Sequence, residues 1–134
     1  MILVDTGPLV AILHRDDRRH RECIQALRAL RPPLGTTWPV VTEAMCLLGF
    51  STEAQDELWS LLESGRLHLL GLDASDAPRM RALMRKYRDL PMDLADASLV
   101  AVAERDGTNK VFTLDRRDFG VYRPAKLGRF SIIP

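Results

Sequence analysis

The sequence predicts an α/β domain built on a mainly parallel sheet, and three observations carry that prediction. Short apolar runs alternate along the 134 residues with segments of helical periodicity. Successive runs are separated by about a dozen residues or more, the length a parallel crossover needs and far more than a hairpin uses. Composition is that of an ordinary globular protein, 46% hydrophobic and 28% charged with no low-complexity tract, so one core of usual size is expected over residues 1–134 without a staple.

Ile2 to Val4 read as a buried strand, and Asp5-Thr6-Gly7-Pro8 turns it into a helix that continues through Leu13. Asp17 to Leu30 set Cys23, Ile24, Ala26, Leu27 and Leu30 on one stripe, and Pro32-Pro33 ends that helix. Leu34 to Trp38 are placed as a short strand. Pro39 then suits the first turn of a helix running through Glu43 to Phe50. A further helix starts at Thr52 and stops at Gly65, followed by a strand over Leu67 to Leu72. Ser75 to Arg88 form a basic amphipathic helix, and Pro91 breaks the chain. Asp93 to Arg105 form a helix ending near Gly107, and Lys110 to Leu114 form a strand. Asp118 to Tyr122 are irregular or briefly helical, and Gly128 to Ile133 are placed as a last strand.

Nineteen basic residues against eighteen acidic ones leave a net charge of +1, so bulk charge does not announce a polyanion binder. Any such surface has to be local. Arg79, Arg81, Arg85, Lys86 and Arg88 crowd one helix, and Arg116, Arg117, Arg123, Lys126 and Arg129 occupy the C-terminal part. A solvated face balanced by Asp76 and Asp89 explains the first set at least as well as a phosphate-binding role. Cys23 and Cys46 lie in apolar helical contexts without metal-like spacing and read as reduced core residues. No segment has the features of a secretory leader or a membrane span, and a cytoplasmic location is expected.

The acids are the informative residues, because several stand alone in windows that cannot solvate them. Asp5 is the only charged side chain before residue 14, and Glu43 is the only one between Arg31 and Glu53. Asp96 is the only charge between Asp93 and Glu104, at the start of a helix that is apolar on every side. Asp115 ends an apolar strand but is followed by Arg116, Arg117 and Asp118. Asp5 and Asp115 therefore both fall at strand C-terminal ends, where ligands gather in folds of this class.

Each acid alone has an ordinary explanation as a cap, a turn residue or a hydrogen-bond acceptor. The conjunction does not, since no buried cation stands in these windows and like charges brought together raise one another's pKa. A divalent cation resolves the conflict, and oxygen ligands without His or Cys select Mg²⁺ or Mn²⁺ over zinc. Asp5 and Asp96 are expected to hold the principal ion, with Glu43 and Asp115 binding through water or completing a second site. Asp93 fits a helix N-cap with Asp96 as its capping-box partner, and an additional ligand is the alternative reading. The hydroxyls of Thr6, Ser98 and Thr113 stand where they can orient the acids, and Arg116 adjoins Asp115 as a phosphate-contact candidate. His14, His20 and His68 lie away from the acids, which argues against serine or cysteine hydrolase chemistry.

The stretches MILVDTGPLVAIL, TTWPVVTEAMCLL, PMDLADASLVAVAE and KVFTLDRRDF together resemble the acid motifs of the PIN-domain family, and among its members those of the VapC-like toxins. The resemblance spans nearly the whole chain, and Asp5, Glu43, Asp96 and Asp115 match the four acid positions. It implies a three-layer domain with a five-stranded sheet and a metal-dependent endoribonuclease acting at these acids. It further implies a homodimer and a small antitoxin that silences it. A housekeeping RNA-processing nuclease and a catalytically silent metal-holding module remain the alternatives.

Overall fold

The computed structural model describes residues 1–134. Five strands, β1 (Ile2–Val4), β2 (Leu34–Thr36), β3 (His68–Leu69), β4 (Lys110–Phe112) and β5 (Ser131–Ile133), form one sheet in the order β3-β2-β1-β4-β5. Every pairing is parallel, so the expected mainly parallel sheet is wholly so. β1 lies at the centre, paired with β2 through Ile2 and Leu34 and with β4 through Leu3 and Val111. Its three residues are buried, which is why an uninterrupted apolar run rather than an alternating one encodes it.

Seven helices make the crossovers: α1 (Thr6–Leu13), α2 (His20–Ala29), α3 (Trp38–Leu47), α4 (Thr52–Glu63), α5 (Ala77–Lys86), α6 (Leu94–Asp106) and α7 (Arg116–Val121). α1 packs on α2, α3 and α4, whereas α6 packs on α3 and α5. α6 is the central helix, with Ala95 and every residue from Ala97 to Ala103 buried, as its lack of a polar face predicts. Gly107 ends it at a φ of 68°, a left-handed position suited to glycine.

Several bounds differ from the sequence reading for local reasons. The second helix begins at His20 rather than Asp17, because the Asp17 carboxylate accepts the Arg19 N–H at 2.8 Å and closes a turn before it. The strand expected over Leu67 to Leu72 shrinks to two exposed residues at the sheet edge. The basic helix splits into a 3-10 turn at Ala74–Asp76 and α5, since Asp73 and Asp76 cap the turn reciprocally. Cys23 is buried as expected, but Cys46 is exposed on α3, and both are free thiols. No helix is long and apolar enough to cross a membrane.

The topology prepares a crevice. From β1 the chain moves to β2 on one side, and later to β4 on the other, so the C-terminal ends of β1 and β4 diverge at the switch point. Asp5 follows β1 directly, and its N–H donates to Phe112 O at 2.9 Å across the β1–β4 pair.

Candidate active site

Four separate segments deliver carboxylates to this crevice. Asp5 stands at the N-cap of α1 with extended backbone, but its side chain does not cap the helix. It accepts a hydrogen bond from Thr113 Oγ1 at 2.7 Å. The same Thr113 oxygen accepts the Asp115 N–H at 3.0 Å, so one hydroxyl sets the positions of two acids on neighbouring strand ends. Asp5 is 8% exposed, and burial above all lifts its pKa from 3.8 to about 6. The Thr113 hydroxyl and the Thr6 N–H oppose that rise, whereas the nearby charges of Glu43 and Asp93 add to it.

Asp96 lies one turn into α6 and is the most perturbed acid, pushed up to about 8. Burial is again the main cause, and the charges of Asp5, Asp93 and Asp115 reinforce it. Its partner is Tyr122, whose hydroxyl donates to Asp96 Oδ2 at 2.7 Å. Tyr122 is fully buried, edge-on to Tyr87 at 5.0 Å and to Phe119 at 5.1 Å between ring centroids, so the donor is rigidly aimed. Burial and the adjacent Asp96 push the phenol pKa far above its ordinary value, which keeps it a donor at all working pH.

Asp115 caps α7 by accepting the Asp118 N–H at 3.0 Å. That turn places the Asp118 carboxylate beside it, and one oxygen each of Asp96, Asp115 and Asp118 lie within 4.8 Å of one another. The pKa of Asp118 is raised by burial and by Asp115. Glu43, on α3, sits near Asp5 and Asp93 and is half-buried, and burial followed by the Asp93 charge raises it. Asp93 is the N-cap of α6, accepting the Asp96 N–H at 2.9 Å, yet its carboxylate is near enough to Asp5, Glu43, Asp96 and Asp118 to perturb each.

The hydroxyls and Arg116 behave less uniformly than the sequence suggested. Thr113 orients the acids. Thr6 Oγ1 is buried and makes no hydrogen bond, although its nearness to Glu43 eases the rise in that carboxyl's pKa. Ser98 touches no acid: its Oγ donates to Ala95 O at 2.7 Å, so Thr37 must be the donor in the 2.6 Å contact between the two hydroxyls. That pair joins the start of α3 to α6, the helices carrying Glu43 and Asp96. The Arg116 guanidinium donates to Pro134 O rather than facing the acids.

Asp118 and Tyr122 were not singled out in the sequence. The spacing Asp115-x-x-Asp118 was a usable signal, since a cap residue and an acid three positions on share the first turn of a helix. Nothing local marks Tyr122, which reaches Asp96 only through tertiary packing.

All of the converging ligands are carboxylate oxygens, a donor set that suits a hard divalent cation, and none of them forms an ion pair with an arginine or lysine, although the Arg117 charge opposes the rise at Asp118. An α/β domain with such a carboxylate cluster at the strand-order switch point is a fold and site of the nuclease class. Residues 2–125 match the PIN domain, and the chain belongs to the PIN-domain family, whose nucleases generally use divalent metal ions. It is 30% identical over 135 residues to ribonuclease VapC26 of Mycobacterium tuberculosis (strain ATCC 25618 / H37Rv), covering 99% of this chain and 100% of that one. Among solved structures it is similar to Mycobacterium tuberculosis VapC20, described as a Sarcin-Ricin loop cleaving toxin, with a TM-score of 0.77 and 19% identity over 83% of this chain and 87% of that one. It is also similar to a chain of a toxin-antitoxin complex from Klebsiella pneumoniae, with a TM-score of 0.68 and 22% identity over 90% and 92%.

Proposed function

We propose that this protein is a divalent-metal-dependent endoribonuclease, the cytoplasmic toxin of a toxin–antitoxin pair, active as a homodimer and held in check by a small antitoxin protein. The observation that carries the chemistry is the convergence of Asp96, Asp115 and Asp118 oxygens within 4.8 Å, with Asp5 alongside. The full-length similarity to a VapC ribonuclease supports the biological role.

Asp96, Asp115 and Asp118 would hold the ion, with Asp5 and Asp93 adjoining them and Glu43 near Asp5 and Asp93. Mg²⁺ fits this all-oxygen site, and Mn²⁺ is the nearest substitute. When bound, such an ion supplies positive charge to a phosphodiester oxygen and lowers the pKa of water. The chain's own residues do the rest. Tyr122 fixes the rotamer of Asp96, and Thr113 fixes Asp5 relative to Asp115. Asp96, with its pKa near 8, sheds its proton when a cation arrives, so binding tightens as pH rises. Glu43, half-buried and raised in pKa near Asp5 and Asp93, would serve as a proton acceptor or donor.

Purified protein is incubated with a structured RNA, with and without Mg²⁺ or Mn²⁺, beside the Asp96→Asn and Asp118→Asn variants. Cleavage that needs the ion and falls by about a hundredfold or more in both variants is expected. Equal cleavage by all three proteins would mean a contaminant and sink the assignment. Co-expression with the product of a neighbouring small gene, and loss of cleavage in the purified complex, tests the toxin role against a housekeeping one.

A further inference from the structure

The basic helix α5 carries two unlike faces. Arg79 is committed to Glu104 through two contacts of 2.7 and 2.6 Å, and Lys86 lies 5.2 Å from the centre of the Tyr87 ring. Arg81, Arg85 and Arg88 have no such commitments: each is exposed, and none makes a hydrogen bond or ion pair. Neither acid that could balance them does so, because Asp76 faces Arg105 at 3.6 Å and Asp89 pairs with nothing. Long arginine side chains left unpaired on one face are a surface waiting for anions.

These three arginines line an open groove of about 490 Å³ whose floor is Met80, Met84 and Leu94. Leu94 is the first residue of α6 and is 48% exposed, immediately after Asp93, the cap whose carboxylate lies near Asp5, Glu43, Asp96 and Asp118. The groove therefore ends at the residue that follows Asp93, at the start of the helix that carries Asp96. Arg81 and Arg85 are one helical turn apart, about 6 Å along the axis, a step that consecutive phosphates of a flexible single strand can match, and Arg88 continues the row in the turn after α5.

We propose that this groove is the substrate track: Arg81, Arg85 and Arg88 bind successive phosphates of a single-stranded RNA segment flanking the scissile bond, with a base resting on Met84 and Leu94. The inference deepens the nuclease reading and rests on it. A site made of carboxylates repels a polyanion, and one ion offsets only part of that charge, so attraction has to come from a neighbouring surface. Here a ladder of unpaired guanidinium groups adjoins the acids, and an apolar strip beside it suits base faces. These three are positioning residues, remote from the reacting atoms.

The test measures binding of a labelled single-stranded RNA by fluorescence anisotropy in the Asp96→Asn background, with Mg²⁺ present, as salt is varied. The Arg81→Gln/Arg85→Gln/Arg88→Gln variant keeps good helix formers on α5. Losing three phosphate contacts lowers the slope of log affinity against log salt by about 2, so its deficit relative to the parent shrinks about twentyfold between roughly 50 and 200 mM salt. The matching Lys triple restores most of the slope, and Arg21→Gln/Arg28→Gln/Arg31→Gln, an equal charge change on and beside α2, leaves it unaltered. In the cleaving protein the defect falls on KM rather than kcat. An unchanged slope in the α5 triple, or an equal loss in the α2 triple, overturns the proposal, the first result assigning the groove to an acidic protein segment instead. If the α5 arginines bind RNA yet the protein with Asp96 intact never cleaves it in Mg²⁺ or Mn²⁺, the track stands and the nuclease assignment fails.

Discussion

Replacing Asp96 by Asn separates an ion site from a merely buried acid. Asn keeps the shape and still accepts the Tyr122 hydroxyl, but it cannot ionise. The carboxyl titrates near its ordinary 3.8 in the unfolded chain and at about 8 in the folded one. Folding therefore favours its protonated form, and stability contributed below the unfolded value is lost as pH rises toward the folded one. Between about pH 5 and about pH 8 the loss is roughly 1.4 kcal/mol per unit, near 4 kcal/mol in all, and about half that once the neighbouring acids share the proton. For a chain of this length that is roughly 6 to 15 °C in Tm. In chelator-treated protein, differential scanning calorimetry should show wild type and variant close together at about pH 5 and the variant clearly more stable at about pH 8. Adding Mg²⁺ at the higher pH should raise the wild type alone, by about 2.7 kcal/mol at a hundred times Kd, and so close most or all of that gap, because only the wild type trades its proton for the ion. A Tm difference independent of pH, or equal Mg²⁺ stabilisation of both proteins, refutes the reasoning.

Three further outcomes follow from single contacts. Tyr122→Phe keeps the packed ring but strips Asp96 of its donor, so divalent-ion affinity measured by calorimetry should fall by about tenfold or more while Tm changes little. Thr113→Val deletes the bonds to Asp5 and the Asp115 N–H, costing about 1 to 3 kcal/mol in denaturant unfolding and raising the Asp5 pKa further, visible as a higher midpoint in carboxyl NMR titration. Asp93→Ala removes the α6 cap, and a loss of about 1 kcal/mol with ion affinity retained would mark it as structural, whereas loss of affinity would make it a ligand.

Legibility from sequence followed the range of the interaction. Solitary acids in apolar windows, as at Asp5, Glu43 and Asp96, were visible because burial of a charge leaves a compositional trace along the chain. The all-round apolar character of 97–103 located the central helix for the same reason. Asp118 was obscured by the arginines beside it, which made the segment look solvated, although its partner Asp115 was in view. Tyr122 could not be found at all, since its aim at Asp96 depends on Tyr87 and Phe119 packing around it. Ser98 misled because a buried serine next to an acid satisfied its proton on its own helix, at the Ala95 carbonyl. The shortened edge strand β3 reflects the same limit, as an exposed pair of residues gains little from continuing the ladder.

The short helix α7, with the Asp115 cap before it and Tyr122 after, has six residues and so fewer than two turns of backbone. A segment of that length has no independent tendency to stay wound and persists through its cap and through Phe119 buried beneath it. Unwinding it would disperse two of the three clustered oxygens and withdraw the phenol from the third. Warming should then silence the enzyme while the sheet, seen by far-ultraviolet dichroism, is still intact, making heat inactivation a local and reversible event before it becomes a global one.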